Sequence, residues 1–150
     1  MPGRISCRFD ALDTLLNRKS GLLGLSGLSN DCRTLESSVA EGHEGAILAL
    51  DTMVHRLAHY IGGLATSLPR LDAVVFTGSI GENSAFVRRK TITRLKVLGI
   101  TLDEEANGQM FGGRCGVISA SGSSTAAAVI ATNEEWAMAN EARLYIGKAS

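Results

Sequence analysis

The stretch LDAVVFTGSIGEN, Leu71 to Asn83, decides how this chain is read. Ala73 to Thr77 has the apolar run of a buried strand at the centre of a parallel sheet. It delivers a glycine-bearing turn, after which Asn83 is expected to open a helix as its N-cap. Strand, tight turn and helix N-terminus make a natural anion site, because the first backbone N–H groups of a helix lack partners. Gly78 and Gly81 permit positive φ and close approach of the backbone to a ligand. The turn lacks the lysine of a Walker loop, and no G-x-G-x-x-G occurs in the chain. On its residues alone it reads as a phosphate or nucleotide turn, with an ordinary βα connection as the alternative.

Upstream, Phe9 to Asn17 carries Leu12, Leu15 and Leu16 at helical spacing and stops near Ser20-Gly21. The following GLLGLSGLSND has a glycine at every third position among leucines and is read as a packed loop, too glycine-rich for a stable helix. His43 to Thr66 is the clearest helix. Ile47, Leu50, Val54, Leu57, Ile61 and Leu64 form one apolar stripe, and Gly62, Gly63 and Pro69 end it. Asp51, His55 and His59 share the opposite face. Histidines four apart can bind a metal, but a solvated polar face is the preferred reading.

Downstream, a helix is expected from Ser84 to Leu98, with Val87, Thr91, Leu95 and Leu98 packed and Gly99 as its stop. Its Arg88-Arg89-Lys90 run reads as a solvated turn. A short strand at Ile100 to Leu102, a helix at Glu104 to Met110, strands at Val117 to Ser119 and Ala127 to Ala131, and a last helix from Asn133 to Ile146 complete the pattern. The one tryptophan, Trp136, is assigned to the core. Strands alternating with helices imply an α/β domain with a mixed or mainly parallel sheet. Ligands of such sheets gather beyond the carboxyl ends of the strands, where the segments after Phe76 and Ile130 both lie.

Bulk properties bound the function classes. One hundred and fifty residues suit a single domain, and 45% hydrophobic with 20% charged residues is ordinary for a globular chain. Fifteen basic and fifteen acidic residues cancel, which gives no electrostatic reason to expect nucleic acid or an anionic membrane as partner. Cys7, Cys32 and Cys115 are odd in number and lack C-x-x-C spacing, which suits a reducing cytoplasm. No apolar run approaches the ~20 residues of a membrane span. The N-terminus MPGRISCRFD lacks the apolar region of a signal peptide.

Three stretches, LLNRKSGLLGLSGLSNDCR (Leu15 to Arg33), LDAVVFTGSIGENSAFVRRK (Leu71 to Lys90) and VIATNEEWAMANEARL (Val129 to Leu144), resemble the C-terminal part of the acetokinase family within the actin-like ATPase superfamily. The likeness covers residues 9 to 147 in the family's order. It implies an α/β, ribonuclease H-like domain with a mixed sheet and flanking helices, incomplete relative to the longer family enzymes. Residues 1–8 have no clear counterpart, and residues 9–150 would form the nucleotide-binding domain. An abrupt start at Phe9 suggests a truncated gene or a start placed downstream of the true one.

The resemblance also implies a site. Ser79, Ile80, Gly81, Glu82 and Asn83 would lie against the nucleotide, with the backbone facing phosphate and Ile80 in the adenine pocket wall. Ser79 replaces the family's usual glycine, and its hydroxymethyl is expected to weaken binding without abolishing it. Asp31, Cys32 and Arg33 match the adenosine site. Arg33 would stack on the purine or bond ribose or phosphate, and Asp31 would accept from ribose or hold the loop. Cys32 is assigned no thiol chemistry.

Thr132-Asn133-Glu134-Glu135 reads as a capping box, with Thr132 at N-cap and Glu135 at N3. That leaves Glu134 for the magnesium role the family implies, which one carboxylate with phosphates and waters can fill. Ala131 stands where the family usually has proline.

The implied cofactors are ATP or ADP and Mg²⁺, and the implied reaction is transfer of the γ-phosphoryl of ATP to acetate in a cytoplasmic homodimer. A propionate or butyrate kinase sibling and a non-catalytic nucleotide-binding or dimerising fragment are the alternatives. No acetate-site or catalytic motif occurs in the chain, so no catalytic residue is assigned.

Overall fold

The computed structural model of the chain describes residues 9–148, so residues 1–8, read above as lacking a clear counterpart, lie outside the described residues. The chain divides into two compact units. One runs to Pro69 and takes in Lys90–Leu95; the other holds Arg70–Arg89 and everything from Lys96 on.

The first unit is helical: α1 (Phe9–Arg18), α2 (Gly21–Ser26), α3 (Cys32–Ala40) and α4 (Glu44–Ala65). The glycine-rich segment read as a loop is therefore helical over Gly21–Ser26, with Gly27 at φ +64° closing it. Packing overrides its poor propensity, since α2 lies directly on α4. His43 caps α4 by accepting the Ala46 N–H on Nδ1 at 3.1 Å. Helix α4 continues through Gly62 and Gly63 to Ala65, so those glycines do not end it.

The buried face of α4 is Ala46, Ala49, Leu50, Val54 and Ala58, whereas Ile47 and Leu64 of the expected stripe are exposed. Small residues there let α2 and α3 approach closely. Leu35 of α3 is fully buried, as are Thr91, Ile92 and Leu95. His55 and His59 are exposed, as a solvated face requires, and line a cavity of about 400 Å³ with Ala58 and Arg94. Asp51 pairs with Lys90 Nζ at 3.4 Å. Among the described residues no helix is long and apolar enough to cross a membrane.

The second unit is built on a three-stranded sheet in the order β1-β3-β2: β1 is Ala73–Phe76, β2 is Gly116–Val117 and β3 is Ala126–Val129. Strands β1 and β3 are parallel, with Phe76 opposite Val129; β2 and β3 are antiparallel. The mixed α/β sheet is the one expected. The Ile100 to Leu102 strand is reduced to a single bridge, Leu102 to Ser119.

Strand β1 is not buried throughout. It is an edge strand that buries Val74 and Phe76 and leaves Val75 48% exposed. Helices α5 (Gly78–Asn83), α6 (Ala85–Arg94), α7 (Glu104–Gln109) and α8 (Glu134–Lys148) complete the fold. Helix α6 ends at Arg94, short of the expected Leu98, and a 3₁₀ turn at Lys96–Leu98 follows before Gly99 at φ +72°. The core of this unit is Val74, Phe76, Val87, Ile100, Ile118, Ala127 and Val129. Trp136 does not join it, being 64% exposed on α8.

Candidate functional site

The parallel register brings the exits of β1 and β3 to one end of the sheet, where Ile130 donates its N–H to the Phe76 carbonyl at 3.0 Å. From there β1 turns into α5. Gly78 sits at φ +73°, which a side chain would resist, and a Cβ on Gly81 would stand 3.2 Å from the carbonyl carbon of Phe76. The two glycines thus divide the labour expected of them: Gly78 makes the turn, and Gly81 lets the helix lie on the strand.

Helix α5 begins before Asn83, not after it. Asn83 is its last residue, and the cap of the next helix is Ser84, whose hydroxyl accepts the Val87 N–H at 2.9 Å. Asn83 instead spans two segments. Its Nδ2 donates to the Ser79 carbonyl at 3.0 Å, and its Oδ1 accepts the Gly112 N–H at 3.0 Å. Ser79 and Ile80 are exposed on α5, and among the described residues no non-glycine has positive φ, so Ser79 fits without backbone strain.

Glu82 ties the turn to the other strand exit. Its Oε1 accepts the Gly78 N–H at 2.9 Å, the Thr132 N–H at 2.8 Å and the Thr132 hydroxyl at 2.9 Å. These bonds, the Thr132 backbone one foremost, hold its carboxyl below its ordinary value. Thr132 is therefore not the cap of α8. Asn133 takes that role, accepting the Trp136 N–H on Oδ1 at 3.0 Å. Glu134 stands exposed in the first turn of α8, where the helix dipole favours a carboxylate.

Asp31, Cys32 and Arg33 belong to the first unit, at the start of α3. Asp31 caps that helix through the Arg33 N–H at 2.9 Å, and its other oxygen pairs with the Arg33 guanidinium at 3.3 Å. The Arg33 backbone N–H first, and its side chain second, lower the Asp31 pKa. The Arg33 side chain is 90% exposed. Cys32 points inward: burial first and the Glu36 carboxylate second push its thiol up to about 12, which keeps it a thiol.

The residue the sequence reading missed is Arg88. It is not solvated: its relative exposure is 0%. Nη1 donates to the carbonyls of Gly81 and Glu82 at 2.8 and 2.9 Å. Nη2 donates to those of Asn107 and Met110, both at 2.8 Å, and Nε to the Asn107 side chain at 2.8 Å. Asn107, itself buried, donates to the Ala85 carbonyl at 3.0 Å. The signal was present in the helix period, because Arg88 shares a face with Ser84, Val87, Thr91 and Leu95.

The Acetokinase family model matches residues 4–140. The chain is 54% identical to acetate kinase 1 of Neisseria meningitidis over 127 residues, covering 85% of this chain and 32% of that protein. It is 52% identical to the propionate kinase of Yersinia enterocolitica over 131 residues, 87% and 32% of the two chains. The crystal structure of Porphyromonas gingivalis acetate kinase superposes with a TM-score of 0.81 at 36% identity, covering 89% of this chain and 33% of that one. The chain spans about a third of the length of these relatives, and it belongs to the acetokinase family.

Proposed function

We propose that this chain is the nucleotide-binding part of an acyl kinase that passes the γ-phosphoryl of ATP to acetate, giving acetyl phosphate and ADP. The observation that carries the reading is the clamp of Glu82 on Thr132. It holds the GSIGEN turn and the segment leading to Glu134 together at the carboxyl end of two parallel strands.

In this reading the Ser79–Asn83 backbone faces the polyphosphate and Ile80, 40% exposed, offers apolar surface to the adenine. Asp31 and Arg33 serve the adenosine end, with Arg33 presented by the cap of α3. Cys32, the buried first residue of α3, contributes only packing. Bound Mg²⁺ would neutralise phosphate charge and orient the transferring group. Glu134 fits such an ion as an exposed hard-oxygen ligand in the first turn of α8. Glu82, already engaged by three donors, is a structural carboxylate of the turn.

The groups that bind acetate and act in the transfer are assigned to the remainder of the enzyme, and the working protein to a cytoplasmic homodimer. A propionate kinase reading stands beside it, because the chain is also 52% identical to the Yersinia propionate kinase. The experiment that tests the proposal is thermal unfolding of the purified chain with ADP and with adenosine. A rise in midpoint with both, larger for ADP, supports it. No rise with either overturns it.

A further inference from the structure

The nucleotide turn ends in a problem that the rest of the fold has to solve. Helix α5 has six residues and α7 has six, too few for either to stand by itself. Each also leaves carbonyls at its C-terminus without intrahelical donors. One side chain answers both. The Arg88 guanidinium binds the Gly81 and Glu82 carbonyls at the end of α5 and the Asn107 and Met110 carbonyls at the end of α7.

A cation at two helix C-termini also meets the negative ends of both dipoles. Its planar fork suits four carbonyls in two pairs, which an ammonium would serve poorly. A second link runs alongside, from the Gly112 N–H to Asn83 Oδ1.

We propose that Arg88 is a positioning residue for nucleotide binding: by capping α5 and α7 with one buried guanidinium, it fixes the Ser79–Asn83 backbone against the 107–112 segment before the ligand arrives. The proposal rests on the nucleotide reading of that turn. It makes the turn preorganised, so that binding does not bear the cost of ordering it. It also makes the 107–112 segment part of the binding unit without requiring that segment to touch the nucleotide.

The test compares ADP affinity of the full chain with that of Arg88→Lys and of Arg88→Ala, the last with and without millimolar guanidinium, using Arg89→Ala as control. Arg89 makes an exposed ion pair with Glu104 at 2.7 Å and is in no site. Arg88→Ala should bind ADP about tenfold more weakly, guanidinium should restore most of the loss, and Arg88→Lys should lie between. Arg89→Ala should match the parent chain. Folded Arg88 variants that bind ADP as the parent does would overturn the proposal while leaving the nucleotide reading intact. Absence of ADP binding by the folded parent chain would overturn both.

Should the Arg88 variants not fold, amide exchange of the parent chain decides. ADP should slow exchange in residues 79–83 and 107–112 together, and protection confined to residues 79–83 would contradict the link.

Discussion

Oε1 of Glu82 accepts both the backbone N–H and the hydroxyl of Thr132, at 2.8 and 2.9 Å, across fifty residues of chain. It joins the turn after β1 to the exit of β3, and the same oxygen holds the Gly78 N–H. A single carboxylate oxygen thus fixes the geometry on which the proposed phosphate site depends.

That relationship has a pH signature. Glu82 is held below its ordinary value of 4.5, so the folded chain releases this proton more readily than the unfolded one. Its contribution is complete above the ordinary glutamate range and is lost as pH falls through the lowered value. Unfolding followed from pH 7 to pH 3 should show a decline below about pH 4.5 that is smaller in Glu82→Gln. Thr132→Val, which keeps the N–H donor and loses the hydroxyl, should be destabilised less than Glu82→Ala.

Thr91 offers a test of packing. Its hydroxyl is buried and has no hydrogen-bond partner among the described residues. Thr91→Val keeps the shape and removes the unsatisfied group, so it should stabilise the chain by about 1 kcal/mol in urea unfolding. A loss of stability would mean that the hydroxyl is satisfied in solution.

Ser79 tests the weaker binding expected from its hydroxymethyl group. In helical backbone with an exposed side chain, it imposes no strain on the turn. Ser79→Gly should lower stability by about 0.5–1 kcal/mol, because glycine is a poorer helix residue. A gain in ADP affinity of tenfold or more would mean that the hydroxymethyl does weaken binding.

Glu134 is assigned to magnesium, so Glu134→Ala should weaken Mg·ATP more than metal-free ATP. Equal losses for the two would remove it from the metal role.

Much of this was legible in the sequence, for reasons that differ by element. The β1–turn–α5 stretch announces itself through apolar run and glycines, and a mixed sheet follows from the alternation of strands and helices, whereas the pairing of β1 with β3 was not legible. The helical state of Gly21–Ser26 was not legible, because contact with α4 decides it where local propensity opposes it. The buried face of α4 was placed only in part for a related cause: Leu50 and Val54 of the stripe are buried, but the small residues Ala46, Ala49 and Ala58 complete that face.

At the site, the residue types of the turn were readable and their partners were not. Thr132 satisfies a capping pattern in sequence yet spends its hydroxyl on Glu82, leaving Asn133 to cap α8. Arg88 looks like one of three surface cations, and only the meeting of two short helix ends explains its burial.

The most direct test of the central claim is calorimetric titration of the purified chain with ADP and ATP, each with and without Mg²⁺. The account predicts saturable binding that Mg²⁺ strengthens, with no acetyl phosphate formed when acetate is supplied. A folded chain that binds neither nucleotide under either condition would contradict it.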